Sequence, residues 1–249
     1  MSSVFDQTVS TQANGATGAY LPNGKTAHHV VVLDVGRQPR SGSRFLNVVI
    51  ALVGLALLSP FLLIIAALVK LTSRGPAFYT QTRVGIDRRS PWKSGGDRRR
   101  KVDYGGRLFR IYKFRTMVAN PSANLQVWAD QNDKRVTRLG RILRRYRLDE
   151  IPQLFNVLKG DMNVVGPRPE QPNIFVDLRT QIQGYSGRQQ VLPGITGLAQ
   201  INLKYDSCLD DVKRKLQYDL EYIDRQTPIT DLRIMLQTIP VVLLKRGGW

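Results

Sequence analysis

Leu148-Asp149-Glu150-Ile151-Pro152-Gln153-Leu154-Phe155-Asn156-Val157-Leu158-Lys159-Gly160 reads as a helix with an acidic pair at its mouth. Ile151, Leu154, Phe155 and Leu158 fall at i, i+3, i+4 and i+7, the spacing of one buried stripe. Pro152 is tolerated only in a first turn, where its missing N–H has no partner within the helix. Gly160 supplies the stop. This places Asp149 at or beside the N-cap with Glu150 next to it. Taken alone, the pair reads as a capping Asp and a first-turn Glu favoured by the helix dipole. The surroundings argue for more: Arg144, Arg145 and Arg147 precede the pair, Arg168 follows it, and a long apolar segment lies upstream.

The chain of 249 residues carries 37 Lys+Arg against 19 Asp+Glu, a formal charge of +18. Such an excess points to a polyanionic partner: nucleic acid, an anionic lipid surface or phosphorylated substrates. A lone cysteine, Cys208, excludes an internal disulfide and fits a reducing compartment. The adjacent His28 and His29 lie in a polar leader and do not suggest a structural zinc site. Residues 1–43 are rich in Ser, Thr, Gln, Asn and Gly, the composition of a disordered leader without a secretory signal pattern.

Phe45 to Val69 is a run of 25 residues in which only Asn47 and Ser59 are polar. About 20 apolar helical residues span a bilayer. Ser59-Pro60 sits just past the middle, where proline kinks a helix. Basic residues bracket both ends: Arg37, Arg40 and Arg44 before, Lys70, Arg74 and Arg83 after. A simple span has one basic flank and one poor one. Symmetric flanks fit a helix that enters the bilayer, breaks at Ser59-Pro60 and returns, although a kinked span fits the run as well.

Phe78–Val84 and Arg107–Phe114 read as two short strands with partial alternation. The stretch Asp87–Gly106 between them is dense in Arg, Lys and Gly, a solvated loop by composition or a contact for anionic lipid headgroups. Lys113-Phe114-Arg115 ends the strand region with two cations. Asp133–Tyr146 is expected to be a strongly basic amphipathic helix, with Val136, Leu139 and Leu143 on one face, suited to a membrane interface or to the core. Gly166-Pro167-Arg168-Pro169-Glu170 is a stiff extended stretch holding one arginine between two prolines. Pro193-Gly194-Ile195-Thr196-Gly197 reads as a tight turn whose glycines allow close backbone approach. Leu209–Arg225 is an amphipathic helix with Val212, Leu216, Leu220 and Ile223 on one side, and a last helix is expected near Thr230–Leu244.

In this order, the motifs resemble those of the bacterial sugar transferases, the monotopic phosphoglycosyl transferases. The resemblance runs from about Arg44 to Arg246. It rests on the apolar segment with Ser59-Pro60, Arg83-Val84-Gly85, Tyr112-Lys113-Phe114-Arg115-Thr116-Met117, Leu148-Asp149-Glu150, Leu154 to Met162, Gly166-Pro167-Arg168-Pro169 and Pro193 to Gly197. Three departures stand out. Asp87–Gly106 is longer than the usual turn, Leu192 stands where many members have a cation, and Asn202-Leu203-Lys204 replaces a common Gly-Arg.

The resemblance implies an α+β, mainly helical fold: a re-entrant membrane helix hairpin over 44–70, kinked at Ser59 and Pro60, then a catalytic domain over 71–249 with a small β element and amphipathic interfacial helices. It implies transfer of a sugar-1-phosphate from a nucleotide diphosphate sugar to a polyprenyl phosphate, with Mg²⁺ required, at the cytoplasmic face of the inner membrane. The glycan so initiated would be an exopolysaccharide or a related polymer. Asp149 would be the covalent nucleophile, and Glu150 would support Mg²⁺ or acid–base chemistry beside it. The chemistry calls for cations, because a carboxylate attacking a diphosphate meets an electrophile already anionic. Lys113, Arg115, Arg144, Arg145 and Arg168 are the candidates to bind donor phosphates, and helix N-terminal amides would add to them. Cations and dipoles would also keep Asp149 ionised. Anionic lipids are expected partners, nucleic acid is not, and a homo-oligomer stays open. A non-catalytic, membrane-anchored basic adaptor in which Asp149 and Glu150 only cap a helix is the competing class.

Overall fold

The computed structural model of the chain describes residues 41–88, 103–118, 133–203 and 208–244. The expected leader 1–43 up to residue 40, most of the basic insertion between Asp87 and Gly106, Lys204, and Lys245-Arg246 lie outside them.

The apolar run forms one helix, α1 (Ser41–Thr72), with Pro60 inside it. From Arg44 to Thr72 it is long and apolar enough to cross a membrane. Proline at position 60 leaves the Ala56 carbonyl without its helical partner, and the Ser59 hydroxyl donates to that carbonyl at 2.9 Å. Residues 56–61 are exposed, whereas Ala51, Ile65 and Val69 are buried in the core. Both arms of α1 are tied to the body. On the first arm, Arg44 donates to the Val157 and Met162 carbonyls, and the Asn47 side-chain oxygen accepts from the Val164 amide. At the other end, Arg115 donates to the Val69, Ser73 and Pro76 carbonyls. The two polar residues of the run thus have distinct tasks: Asn47 bolts the helix to the body and Ser59 answers the carbonyl that Pro60 leaves open.

The strands β1 (Phe78–Val84) and β2 (Leu108–Phe114) pair antiparallel, with Tyr79 opposite Lys113. Phe109 and Ile111 face inward, and period-2 alternation puts Lys113 on their side. The basic helix is shorter than its pattern predicts: α2 is Arg138–Arg145. Thr137 caps it by accepting from the Gly140 amide at 2.9 Å, so the helix starts there and Val136 instead bridges to Met117. Gly140 is required by packing, because a Cβ there would sit 2.1 Å from the Thr116 carbonyl oxygen.

The Leu148–Gly160 stretch is two elements rather than one. A 3-10 helix, Leu148–Gln153, leads into α3 (Leu154–Lys159), which ends at Gly160 with φ 82°. Pro152 explains the break: it lacks the N–H that an α-helix would aim at the Leu148 carbonyl. In a 3-10 helix i and i+3 eclipse, so Glu150 and Gln153 share the buried face. The expected stripe is therefore displaced. Asn156 and Val157 are buried, Leu154 and Leu158 are half-buried, and Phe155 is 47% exposed.

Pro193–Gly197 is not a turn. β3 (Asn163–Val165) and β4 (Gly194–Thr196) pair in parallel, and the glycines admit backbone rather than ligand: a Cβ on Gly194 would lie 2.1 Å from the Gly166 amide. Helix α4 (Pro172–Gln181) follows the proline-rich strap, and a 3-10 turn, Tyr185–Gln190, precedes β4. The short α5 (Leu198–Asn202) and the long α6 (Leu209–Asp224) and α7 (Pro228–Leu243) complete the fold. As the apolar pattern predicts, α6 buries Val212, Leu216 and Ile223. The fold is mostly helical, with two small sheets.

Candidate active site

The acidic pair lies where β2, the 3-10 helix and the strap meet. Arg147 precedes it in the left-handed region, φ 52°, and no side chain caps the 3-10 helix. That geometry is uncommon for a residue with a Cβ and marks a constrained corner. Asp149 is therefore not an N-cap, which removes the capping reading of the pair. The expected helix-terminal amide site is replaced by a six-residue 3-10 turn.

Both carboxylates are buried, Asp149 at 7% exposure and Glu150 at 5%. Glu150 is closed by cations: Lys113 Nζ donates to Oε1 at 2.8 Å, and Arg168 donates to Oε1 at 2.6 Å and Oε2 at 3.3 Å. Burial pushes the Glu150 carboxyl up, but Arg168 and Lys113 outweigh it and hold it well below the ordinary carboxylate range. For Asp149 the balance reverses. Burial is the largest influence and, with Glu150 alongside, pushes the carboxyl up to about 6 against Lys113, Arg144 and Arg168. A carboxyl with that pKa is roughly nine-tenths ionised at pH 7, yet more basic than a free carboxylate. The expectation that cations and helix dipoles keep Asp149 ionised leaves out burial, which raises the carboxyl while leaving it mostly ionised at pH 7. Among the described residues, the Asp149 carboxylate enters none of the hydrogen bonds of this cluster.

The expected cations divide. Lys113 and Arg168 touch Glu150, and Arg144 donates from Nε to the Thr116 hydroxyl at 2.9 Å while its charge acts on Asp149. Arg145 is exposed and is not among the principal charges acting on either carboxylate. Arg115 is a correction. The strand ends at Phe114, the Arg115 amide turns to the Ala77 carbonyl, and the buried guanidinium closes the C-terminal end of α1, so it is not available to a substrate. Leu192, at the position where a cation is common, is buried.

Three contributors were not assigned from sequence. Arg147 adds its charge to Glu150 and Asp149. Asn156, fully buried, accepts from the Tyr112 amide at 3.1 Å and donates to the Arg110 carbonyl at 2.7 Å, docking β2 so that Lys113 meets Glu150. Arg83 donates to the Pro169 carbonyl at 3.1 Å and steadies the strap. Arg147 stands in the basic run before the pair, Asn156 within the Leu154–Met162 motif and Arg83 within Arg83-Val84-Gly85, but no periodicity gives any of the three its task.

For Mg²⁺, no three His, Cys, Asp or Glu side chains converge among the described residues. Mg²⁺ commonly uses one or two carboxylates plus substrate phosphates and needs no cage. Asp149 fits as that ligand. Glu150 fits less well, because both its oxygens already accept from cations.

A buried carboxylate pair ringed by fixed cations, on a body bolted to a long apolar helix, defines a class: proteins built to handle phosphorylated ligands beside a lipid phase. The chain belongs to the bacterial sugar transferase family, whose model matches residues 39–245. It is 38% identical over 205 residues to the UDP-N-acetylgalactosamine-undecaprenyl-phosphate N-acetylgalactosaminephosphotransferase of Aeromonas hydrophila, covering 82% of this chain and 44% of the relative. It is 39% identical over 202 residues to the UDP-glucose:undecaprenyl-phosphate glucose-1-phosphate transferase of Caulobacter vibrioides, covering 80% and 69%. Over 221 residues it is 32% identical to the exopolysaccharide production protein ExoY of Sinorhizobium fredii, covering 83% and 87%. The chain thus spans under half the length of the Aeromonas relative and most of that of ExoY.

Proposed function

We propose that this chain transfers a sugar-1-phosphate from a nucleotide diphosphate sugar, a UDP-sugar by analogy with these relatives, to undecaprenyl phosphate or a similar polyprenyl phosphate. The observation that carries the reading is Asp149: a buried, mostly ionised carboxylate, surrounded by Lys113, Arg144 and Arg168, beside a Glu150 already neutralised by two of them. Asp149 attacks the phosphorus bearing the sugar, a P–O bond forms, and the bridging P–O bond breaks to expel the nucleoside monophosphate. The polyprenyl phosphate oxygen then attacks the same phosphorus and restores the free carboxylate. Splitting the transfer lets a water-soluble donor and a lipid acceptor use the site in turn.

Arg168 and Lys113 hold positive charge where the leaving phosphate develops negative charge. Glu150 orients those two cations. Asp149 would be the residue that holds Mg²⁺, which would supply further charge neutralisation.

The apolar helix takes a role in the same reading. Both ends of the helix are tied to one body while the stretch around Ser59-Pro60 stays exposed, which supports a re-entrant helix with the catalytic domain on a single face of the membrane. The resemblance makes that face the cytoplasmic one of the inner membrane. α7 exposes Ile229, Leu232, Leu236 and Ile239 opposite buried Asp231 and Ile234, the pattern of a helix lying in a lipid interface. The product would initiate an exopolysaccharide or a related glycan.

Incubation with a panel of UDP-sugars, polyprenyl phosphate and Mg²⁺ should release UMP with at least one donor. Intact-mass analysis with that donor alone should show a phosphosugar adduct on Asp149. No release with any donor, or an adduct elsewhere, overturns the proposal.

A further inference from the structure

A second buried ion cluster lies behind the strap. Arg188, on the 3-10 turn Tyr185–Gln190, uses all five of its N–H donors. Nε and Nη2 donate to Asp219 Oδ2 on α6 at 3.0 and 2.6 Å. Nη1 donates to the Tyr185 hydroxyl at 2.6 Å and to Glu170 Oε1 at 3.0 Å. The last donor, on Nη2, reaches the backbone carbonyl of Arg168 at 3.1 Å. Two of the five therefore fall on the Gly166–Glu170 strap, one of them on the residue whose guanidinium holds Glu150. Lys215 adds a second bond to Glu170 Oε1 at 2.9 Å, and the Glu170 carbonyl accepts from the Val84 amide at 2.9 Å.

The strap needs such a hold. Pro167 and Pro169 have no N–H, so this stretch can make few backbone bonds of its own, and its place is set by what grips its carbonyls and its one carboxylate. Arg83 grips the Pro169 carbonyl from the other side. The planar five-donor fork of arginine makes five bonds to four acceptor atoms in fixed directions, which the three donors of a lysine cannot reproduce.

We propose that Arg188 is a positioning residue for the transfer reaction: it fixes the backbone of Arg168, and through it the contact between Arg168 and Glu150, without itself meeting substrate. The inference deepens the proposed function and rests on it for its kinetic arm. In a two-step transfer, kcat/KM for the nucleotide sugar reports the first half-reaction and kcat/KM for the lipid phosphate reports the second. A displaced Arg168 disturbs neutralisation of the departing nucleotide, so the first constant should fall and the second should not.

The test uses the full chain in lipid nanodiscs, with Arg188→Lys, Arg168→Ala and the double variant. Arg188→Lys should lower kcat/KM for the UDP-sugar about tenfold or more and leave that for polyprenyl phosphate within about twofold. On the Arg168→Ala background the same change should add less than about twofold, because the residue it acts through is gone. Equal falls in both constants, an additive cycle, or no loss at all overturns the inference. A readout free of catalysis runs beside it. Hydrogen exchange at the Val84 amide, which the Glu170 carbonyl holds, should quicken in Arg188→Lys and stay unchanged in Arg168→Ala. Unaltered exchange in Arg188→Lys sinks the inference even if transfer is seen, whereas a wild-type chain inactive with every donor sinks the function reading instead.

Discussion

Two ion clusters built from the same residue types sit on opposite sides of the strap and are finished differently. Around Arg188 every donor is answered, and the Arg188 and Asp219 side chains are each 3% exposed. Around Glu150 the arrangement is more open: the Arg168 side chain is 37% exposed, and among the described residues the neighbouring Asp149 carboxylate takes no hydrogen bond from Lys113 or Arg168. A saturated buried network fixes geometry, because removing any partner strands a charge. An unfinished one leaves hydrogen-bonding capacity that a ligand can complete. On the proposed function, saturation separates the scaffold from the chemistry within one small fold.

The sharpest break of this comparison is Asp149→Asn against Asp219→Asn. The first should abolish transfer, at least about a thousandfold in kcat, while the melting midpoint stays level or rises because a costly buried charge is gone. The second should do the reverse in stability, removing about 3–5 kcal/mol from the unfolding free energy by leaving Arg188 without its main counter-charge. UMP release and chemical denaturation read the two effects. If Asp149→Asn unfolds the chain as badly as Asp219→Asn does, the distinction between a saturated and an open cluster fails.

Asn156→Ala comes next. It strands the Tyr112 amide and the Arg110 carbonyl, and should cost about 2–3 kcal/mol in stability. Transfer per folded molecule should drop as well, since β2 carries Lys113. A stability loss below about 1 kcal/mol would mean that the sheet, not Asn156, docks the strand.

Acid should part activity from stability. With a pKa of about 6, Asp149 is roughly nine-tenths ionised at pH 7 and about one-tenth at pH 5, so transfer measured at low Mg²⁺ should fall about tenfold over that interval. Its raised pKa works the other way on folding: the folded state binds that proton more tightly than the unfolded one. Asp149 therefore favours folding below about pH 4, and that contribution is lost as pH rises through 6. Glu150 and Glu170 carry the opposite sign, being held low in the fold, so their stabilisation is present above pH 4.5 and lost only in stronger acid. Between pH 7 and 5 the unfolding free energy should accordingly not fall while activity does. A parallel decline of both would trace the acid limb to unfolding instead.

Much of this was legible in the chain. Alternation marked β1 and β2, 3.6-residue spacing marked α6, and the order of motifs brought Asp149, Glu150, Lys113 and Arg168 into one reading. The failures share a cause. β3 and β4 are three residues each and exist only because each has the other as partner, which no local period reports. Lys113 and Arg115 look equivalent by alternation, yet the strand ends between them, so one faces the acidic pair and the other closes the end of α1. Arg188 and Asn156 act through bonds to residues far away in the sequence, and side chains of that kind leave no periodic trace.

The smallest expected effect tests whether exposure is the right guide to the cations. Arg144 and Arg145 are adjacent on α2, chemically identical, and both were expected to bind donor phosphate. Successive helical residues point about 100° apart, so the fold sends Arg144 toward Thr116 and Asp149 and leaves Arg145 in solvent. Arg144→Ala should lower kcat/KM for the UDP-sugar about tenfold, since a partly buried cation loses little of its field to screening. Arg145→Ala should change it less than about twofold at 0.15 M salt. If Arg145→Ala matches its neighbour, the donor reaches further across α2 than the buried pair suggests, and the open cluster extends onto the surface of that helix.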